Sequence, residues 1–199
     1  MSRKAYFNEA AETWDQRFHT PKLAAFLERL VSRFGLKHGY NVLDVGTGTG
    51  VLIPFLLQVI GRAGSVTAID FAERMVQICR LKHSHLKNVI VKLYDIEEED
   101  LPPASFDAVT CFGLFPHLEK KEKTLHNLCR ALKHGGVLII AHALSSQEVE
   151  AHHKSLLSPV VNDTLPNDTE MRQLLNRTGF TEIYIEDEPG CYLCLSKKR

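Results

Sequence analysis

The sequence predicts an α/β fold in three layers: helices on both faces of a seven-stranded, mostly parallel sheet, with an antiparallel C-terminal hairpin at one edge. Three observations predict this fold. From residue 41 onward, short apolar runs alternate with helix-period segments, as in parallel sheets covered on both faces. A glycine-rich loop at 46–50 joins the first apolar run to a helical segment. Only Glu-Asp-Glu-Pro-Gly separates the last two runs, which is too short for a parallel crossover.

The individual elements follow from the same patterns. Apolar runs, several of them preceded by glycine or asparagine, predict strands at 41–46, 65–70, 89–94, 106–111, 136–142, 181–186 and 191–196. Apolar residues at helical spacing predict helices near 51–60, 72–83, 119–133, 146–157 and 168–178, and helical structure within 1–35. Gly179 is expected just past the end of the last helix, where glycine is common.

Length and composition predict one globular domain over 1–199, with 1–35 as a helical N-terminal cap and 143–167 as a lid-like insertion. The 199 residues include 24 basic and 24 acidic side chains, so no overall field attracts nucleic acid. No apolar run approaches the roughly 20 residues of a membrane-spanning helix. We therefore expect neither a nucleic-acid nor a membrane partner. The balanced charge is compatible with a monomer or a homodimer.

Cysteine usage and the first residues predict a cytoplasmic protein. Five cysteines at scattered positions fit free thiols in a reducing compartment. The N-terminal segment contains acids and lacks the apolar core of a secretion signal. Cys191 and Cys194 form a C-x-x-C, but residues three apart in an extended segment point to opposite faces. Structural strand cysteines are therefore favoured over a redox pair or a metal site.

The loop after the first strand predicts a ligand site. Glycine at every second position (Gly46, Gly48, Gly50) lets the backbone turn sharply and approach a bound molecule closely. The spacing differs from the G-x-G-x-x-G of dinucleotide enzymes, and G-x-x-x-x-G-K-[ST] does not occur. Asp44 stands two residues before the first glycine, where a carboxylate suits a positively charged ligand. We interpret the loop as a site for a cationic cofactor.

Further motifs occur at the ends of the predicted strands and at the N-terminus. They are Val-Leu-Asp-Val-Gly-Thr-Gly-Thr-Gly (42–50), Val-Thr-Ala-Ile-Asp (66–70), Tyr-Asp-Ile-Glu (94–97), Phe-Asp-Ala-Val-Thr-Cys-Phe (106–112), Leu-Lys-His-Gly-Gly-Val-Leu (132–138) and Tyr-Phe-Asn-Glu-Ala-Ala-Glu-Thr-Trp-Asp (6–15). With them the chain resembles the class I S-adenosylmethionine-dependent methyltransferases, in particular the small-molecule, ubiquinone/menaquinone-methyltransferase-like branch. The resemblance implies a Rossmann-like three-layer sandwich, S-adenosyl-L-methionine as cofactor, and transfer of its sulfonium methyl to a small molecule by SN2 displacement.

The resemblance also implies which residues contact the cofactor. Asp44 would lie near the methionine ammonium, and Asp70 would accept hydrogen bonds from the ribose hydroxyls. The implied set is Asp44, Gly46, Thr47, Gly48, Gly50, Asp70, Phe71, Met75, Asp95, Ile96, Cys111 and Phe112. Structural alternatives stay open for some of them, since Asp70 also fits a helix N-cap, Asp95 a turn residue and Met75 a core position.

Histidines at the predicted strand ends are the candidates for acceptor chemistry. Methyl transfer needs alignment and water exclusion, and it needs a base only when the acceptor must lose a proton. His117 follows the fourth strand, His142 ends the fifth, and His152 and His153 lie on the helix 146–157. We take His142, His117 and His152 as candidate catalytic residues. A base or a metal site formed by His142 with His152 or His153 is weighed against ordinary packing, and no metal is assigned.

Acceptor specificity is expected in residues 1–20 and 143–167. Tyr6, Phe7 and Trp14 either cover the cofactor and acceptor or simply dock an N-terminal helix. Neither region matches an acceptor class, so the acceptor stays open, and a protein substrate is an alternative. An NAD(P)-dependent oxidoreductase and a non-catalytic cofactor-binding homologue are further alternatives. Nucleic-acid methylation is disfavoured, because Cys-Phe-Gly-Leu stands where an N/D-P-P-Y tetrapeptide would follow the fourth strand.

Overall fold

The computed structural model describes residues 1–199 and contains helices and strands in regular alternation after a helical N-terminal segment. The helices are α1 (Arg3–Phe18), α2 (Pro21–Val31), α3 (Ile53–Ile60), α4 (Glu73–His83), α5 (Lys121–Ala131), α6 (Ser146–Lys154) and α7 (Asp168–Arg177). The strands are β1 (Asn41–Val45), β2 (Ser65–Asp70), β3 (Val89–Leu93), β4 (Phe106–Phe112), β5 (Leu132–His142), β6 (Phe180–Glu188) and β7 (Cys191–Lys198).

All seven strands form one sheet in the order β3-β2-β1-β4-β5-β7-β6. The first five strands are parallel to one another. β7 runs antiparallel to β5 and pairs with β6 in the hairpin, which turns at Gly190 with a φ of +79°. The predicted fold class is therefore confirmed, with the last strand inserted between β5 and β6.

The two faces of the sheet carry separate apolar cores, because successive strand residues point to opposite faces. Leu43 and Val45 of β1 pack with α5, α6 and α7, whereas Val42 packs with α2, α3 and α4. Leu27 and Leu30 of α2 are buried in the second core. Helices on both faces give the three layers.

Several element boundaries were predicted wrongly, notably the end of α5, the start of β5 and the end of α6. The helix predicted at 119–133 ends at Ala131, because Leu132 already pairs with Phe106 and opens β5 four residues early. The helix predicted at 146–157 ends at Lys154, and Leu157 beyond it is fully exposed. A short 3-10 turn at Phe115–His117 was not predicted. No helix combines the length and the apolar character that a membrane crossing requires.

Candidate cofactor and acceptor site

A cavity of about 660 Å³ opens at the carboxyl ends of the parallel strands. The parallel pairing brings these ends to one edge of the sheet, where ligands of open α/β folds bind. Most residues of the implied cofactor set line this cavity. They are Asp44, Gly46, Thr47, Gly48, Asp70, Phe71, Met75, Asp95, Ile96 and Phe112. We call the part formed by residues 44–48, 70–75 and 95–96 the glycine-loop wall.

Two members of the implied set do not line the cavity. Gly50 faces away from it, because a Cβ added there would lie 2.5 Å from Nε2 of His83 and 2.8 Å from Sγ of Cys79. The Gly50 carbonyl also accepts a 3.1 Å hydrogen bond from that His83 nitrogen. Cys111 is fully buried in the core under α5 and α7. Both residues support the site from behind.

The three glycines of the loop are required for different structural reasons. Their φ angles are +67° at Gly46, +55° at Gly48 and +88° at Gly50, a region that favours glycine. At Gly46 a Cβ would come within 2.7 Å of Leu114. At Gly48 it would meet nothing closer than Met75 and Trp14, each at 4.0 Å, and both of these side chains line the cavity. Gly48 is therefore the position where bare backbone borders the cavity.

Asp44 presents a buried carboxylate with one unpaired oxygen. The residue is 2% exposed, and Thr110 donates a 2.7 Å hydrogen bond to its Oδ1. Its Oδ2 has no hydrogen-bond partner in the protein. Burial raises the pKa of this carboxyl group to about 6. A cationic group placed here, directly or through water, would satisfy the free oxygen and favour the ionised form.

Asp70 ties the glycine loop to the start of α4. The Gly48 amide donates to its Oδ2 and the Ala72 amide donates to its Oδ1, both at 2.9 Å. The cap residue of α4 is Ala72 and has no side-chain cap, so the interpretation of Asp70 as the helix N-cap is wrong. Burial raises the pKa of Asp70, and the backbone hydrogen bonds oppose that rise. Each carboxylate oxygen retains capacity for a further donor.

The third strand end and the start of α4 complete this wall. Asp95 lies two residues beyond β3 and accepts a 3.0 Å hydrogen bond from the Glu97 amide, so its turn role is observed, and the residue also borders the cavity. Ile96 is 7% exposed beside it. Met75 is 2% exposed and packs with Ala11 and Phe71, so it belongs both to a small apolar cluster and to the cavity lining.

The opposite part of the cavity is rich in histidine. His117 lies in the 3-10 turn, and its Nδ1 is 2.8 Å from Oδ2 of Asp163. His153 of α6 donates from Nδ1 to the backbone carbonyl of the same Asp163, at 2.6 Å. The two imidazole rings are 5.0 Å apart between centroids. We call Arg3, His117, His142, His153 and Asp163 the histidine wall.

His142 and His152 both border the cavity, but their surroundings differ. His142 ends β5 as expected and lines the cavity, but its Nδ1 is buried without a hydrogen-bond partner. Burial, with a smaller contribution from neighbouring histidines, lowers the pKa of His142 to about 3. His152 borders the cavity but is exposed, whereas His153 is 5% exposed. No group of three or more metal-ligating side chains has the arrangement to hold a metal ion.

Helix α1 covers the cavity with aromatic side chains. Phe7 makes edge contacts with Phe71 and with His117, at centroid distances of 5.9 and 5.3 Å. Trp14 lines the cavity next to Gly48, while Tyr6 only packs on the outer edge of Phe7. Only two residues of α1, both alanines, are buried, so polar contacts hold much of this helix in place. Phe7 and Trp14 therefore both cover the cavity and dock the helix.

Asp163 and Arg3 are site residues that sequence reasoning did not identify. Arg3 at the start of α1 forms ion pairs with Asp163 and with Glu119. Asp163 is 4% exposed although it lies in the segment between α6 and α7. Hydrogen bonds from His117 and Arg3 lower the pKa of Asp163 to about 2 against the opposing effect of burial. No local pattern marks either residue, since they are 160 positions apart.

Comparison with known proteins agrees with this geometry. The methyltransferase domain family matches residues 36–179. A malonyl-[acyl-carrier protein] O-methyltransferase of Bacillus anthracis is 27% identical over 84% of this chain and 61% of its own length. A ubiquinone/menaquinone biosynthesis C-methyltransferase of Stutzerimonas stutzeri is 31% identical over 75% of this chain and 63% of its own length. The chain thus spans less than two thirds of these curated relatives.

A solved structure gives the same result over nearly the whole chain. The crystal structure of a SAM-dependent methyltransferase from Aquifex aeolicus is 27% identical, covers 96% of this chain and 98% of its own, and superposes with a TM-score of 0.75. The family match covers well over half of the residues and includes the glycine loop and all the parallel strands. The chain therefore belongs to the methyltransferase domain family, and it is similar to S-adenosylmethionine-dependent methyltransferases, among them the ubiquinone/menaquinone biosynthesis C-methyltransferases.

Proposed function

We propose that this chain transfers the sulfonium methyl of S-adenosylmethionine to a small-molecule acceptor. One observation carries the proposal: a buried carboxylate with an unpaired oxygen, Asp44, stands beside the bare backbone of Gly48. An unpaired buried acceptor costs about 1–3 kcal/mol, so a donor is expected there. An α-ammonium group is such a donor, and neither NAD nor a nucleoside phosphate carries one.

The other residues of the glycine-loop wall fit the remaining parts of this cofactor. Asp70 has free acceptor capacity for ribose hydroxyls while its amide contacts hold it in place. Phe71 and Met75 offer apolar surface to the ribose and adenine, and Asp95 with Ile96 borders the cavity where the adenine edge would lie. Thr47 contributes a buried hydroxyl without a partner. Gly46, Gly50, Cys111 and Phe112 shape the loop and the strand end.

The chain supplies alignment and exclusion of water. When bound, S-adenosylmethionine supplies an activated methyl group, which an acceptor takes as the C–S bond breaks and its electron pair stays on sulfur. Phe7 and Trp14 close the cavity from above, and Phe112 borders it from the end of β4. Positioning and dehydration of this kind contribute most of the rate in transfers to an activated carbon.

We also propose a cytoplasmic location, a small organic acceptor and a single-domain organisation. The five cysteines are all unpaired, which fits a reducing, cytoplasmic environment. The net charge of zero and the apolar, aromatic cavity favour a small organic acceptor over nucleic acid. The chain acts as one domain in which α1 and the segment 143–167 cover the acceptor.

Two measurements test this function in order. Calorimetric titration with S-adenosylhomocysteine should show binding, and NAD should show none. A methyl-transfer screen with labelled S-adenosylmethionine and small-molecule extracts should then give a labelled product that is identified by its mass. Binding of NAD alone would support an oxidoreductase instead. S-adenosylhomocysteine binding without any labelled small molecule, but with labelled protein, would point to a protein substrate.

A further inference from the structure

Asp163 holds two imidazoles through two different groups. Its carboxylate bonds to Nδ1 of His117, and its backbone carbonyl bonds to Nδ1 of His153. A carbonyl only accepts, and a carboxylate with a pKa near 2 is ionised and also only accepts. Both imidazoles therefore carry a proton on Nδ1, so that each ring, in its neutral form, keeps a free electron pair on Nε2.

The free nitrogen of His117 is open to the cavity. Its Nε2 makes no hydrogen bond in the protein, and it is not among the buried polar atoms that lack a partner. The residue lines the cavity, and its side chain is 15% exposed. His153 likewise lines the cavity with no partner on Nε2. Accessible imidazole nitrogens therefore border the space next to Phe7 and Leu144.

Opposing charges lie around His117. Arg3 and His153 disfavour a positive charge on its ring, and Asp163 favours one. Arg3 also forms an ion pair with Glu119, so part of its charge is balanced by a group other than Asp163. Burial is the main cause that lowers the pKa of His117, which leaves the ring neutral and able to accept a proton near neutral pH.

We propose that His117 is the general base of the methyl transfer, with Asp163 as the residue that orients it, and that the acceptor is an aromatic or otherwise apolar molecule whose nucleophile carries an acidic proton, such as a phenol. This inference rests on the proposed function and names its acceptor class. The aromatic cover from Phe7 and the neighbouring Leu114 and Leu118 provide the apolar surroundings. A base of low basicity selects acceptors that are themselves acidic.

The proton balance of the step is complete. The acceptor O–H gives its proton to Nε2 of His117, and its oxygen electron pair forms the new bond to the methyl carbon. The C–S electron pair stays on sulfur, so the positive charge of the sulfonium ends on the His117 imidazolium. Asp163 then faces a cation within hydrogen-bond distance, and the proton returns to solvent when the cavity opens.

The experiment uses 4-nitrophenol as the probe and the full chain saturated with S-adenosylhomocysteine, so that no methyl is transferred. The visible absorbance of bound nitrophenolate measures proton transfer to the protein below the pKa of the free phenol. Wild type should ionise the bound phenol. His117→Gln and the isosteric Asp163→Asn should lower the ionised fraction by about tenfold or more, the scale of one pKa unit. His126→Gln, at an exposed position on α5, is the matched control.

The ionised fraction of the bound phenol is the readout that a purely structural role would not change, and nitrogen-15 NMR of the histidine side chains tests separately whether Asp163 orients the His117 ring. His117 should show the Nδ1-protonated tautomer in wild type and in Asp163→Asn, whose amide oxygen still accepts, and should lose it in Asp163→Ala. Equal phenolate fractions in wild type and His117→Gln, or no binding of 4-nitrophenol, would overturn the inference. A failure of the proposed function is separate, because it appears first as absent binding of S-adenosylhomocysteine.

Discussion

The two walls of the cavity are built in opposite ways. The glycine-loop wall consists of strand ends and loops that follow them directly, and backbone amides hold its central carboxylate, Asp70. The histidine wall joins α1, the 3-10 turn, β5 and the segment around Asp163 through side-chain contacts between distant residues. The first wall is therefore encoded locally along the chain, and the second exists only after the chain has folded.

This difference explains what the sequence could predict. Asp44, Gly48 and Asp70 were predicted as site residues from strand ends, glycine spacing and the family resemblance, none of which requires knowledge of tertiary contacts. Asp163 differs from these residues, because it lies in a loop without a recognisable motif. It becomes a site residue only through its contacts with Arg3 and His117. His153, and not His152, is buried because adjacent residues of α6 point in different directions. The sequence pattern could not resolve which of the two neighbours faces the core.

The fold shows the same division. The mostly parallel sheet and the antiparallel hairpin follow from connection lengths and apolar runs, and both were predicted correctly, whereas no strand order was predicted. The early start of β5 was not predicted, because Leu132 reads equally well as the last apolar residue of a helix. Pairing with Phe106 decides between the two, and that contact is not local.

The largest expected effect tests whether the backbone behind the glycine-loop wall is tightly packed. Gly50→Ala should lower the free energy of unfolding by about 2–5 kcal/mol, because a left-handed alanine costs about 1–2 kcal/mol and overpacking against His83 costs about 1–3 kcal/mol more. Urea denaturation measures it. Gly190→Ala is the control, because its φ is also positive but nothing lies within 4 Å. Equal losses in both variants would show that the loop is not tightly packed.

The next prediction separates the nucleoside contact from the rest of the cofactor. Asp70→Ala should weaken the binding of S-adenosylhomocysteine by about 1–3 kcal/mol through loss of its hydrogen bonds. The binding of 5′-methylthioadenosine, which has the same ribose but no amino acid, should weaken by the same amount. Calorimetric titration measures both ligands. Unchanged affinity would return Asp70 to a structural role in the loop.

The pH dependence of stability tests the histidine wall. The folded-state pKa of His142, about 3, lies below its ordinary value of 6.5, so stability is full above pH 6.5 and is lost as pH falls toward 3. His142→Phe removes this titration. The unfolding free energy that is lost between pH 8 and pH 5 should therefore be about 1–2 kcal/mol smaller in the variant than in wild type. Denaturant unfolding at the two pH values measures it. An identical pH profile in the variant would show that His142 is freely solvated.

The smallest effect concerns the contact that joins α1 to the histidine wall. Arg3→Ala should cost about 1 kcal/mol or less in unfolding free energy, because the arginine is partly exposed. Hydrogen exchange should nevertheless rise in α1 and around Asp163, with no change at residues 46–50. Lys154→Ala, which breaks an exposed pair with Glu150, is the control. A rise in exchange at the glycine loop would mean that the two walls are coupled.

The most direct test of the central claim compares Asp44→Asn with wild type for two ligands. S-adenosylhomocysteine carries the ammonium group that Asp44 is proposed to receive, and 5′-methylthioadenosine does not. The variant should lose about 2–4 kcal/mol with the first ligand and almost nothing with the second. Because burial raises the pKa of Asp44 to about 6, wild-type affinity for S-adenosylhomocysteine should also fall below that pH, and the variant should not show this fall. Equal losses for both ligands, or no loss for either, would contradict the assignment of Asp44 to the methionine end of the cofactor.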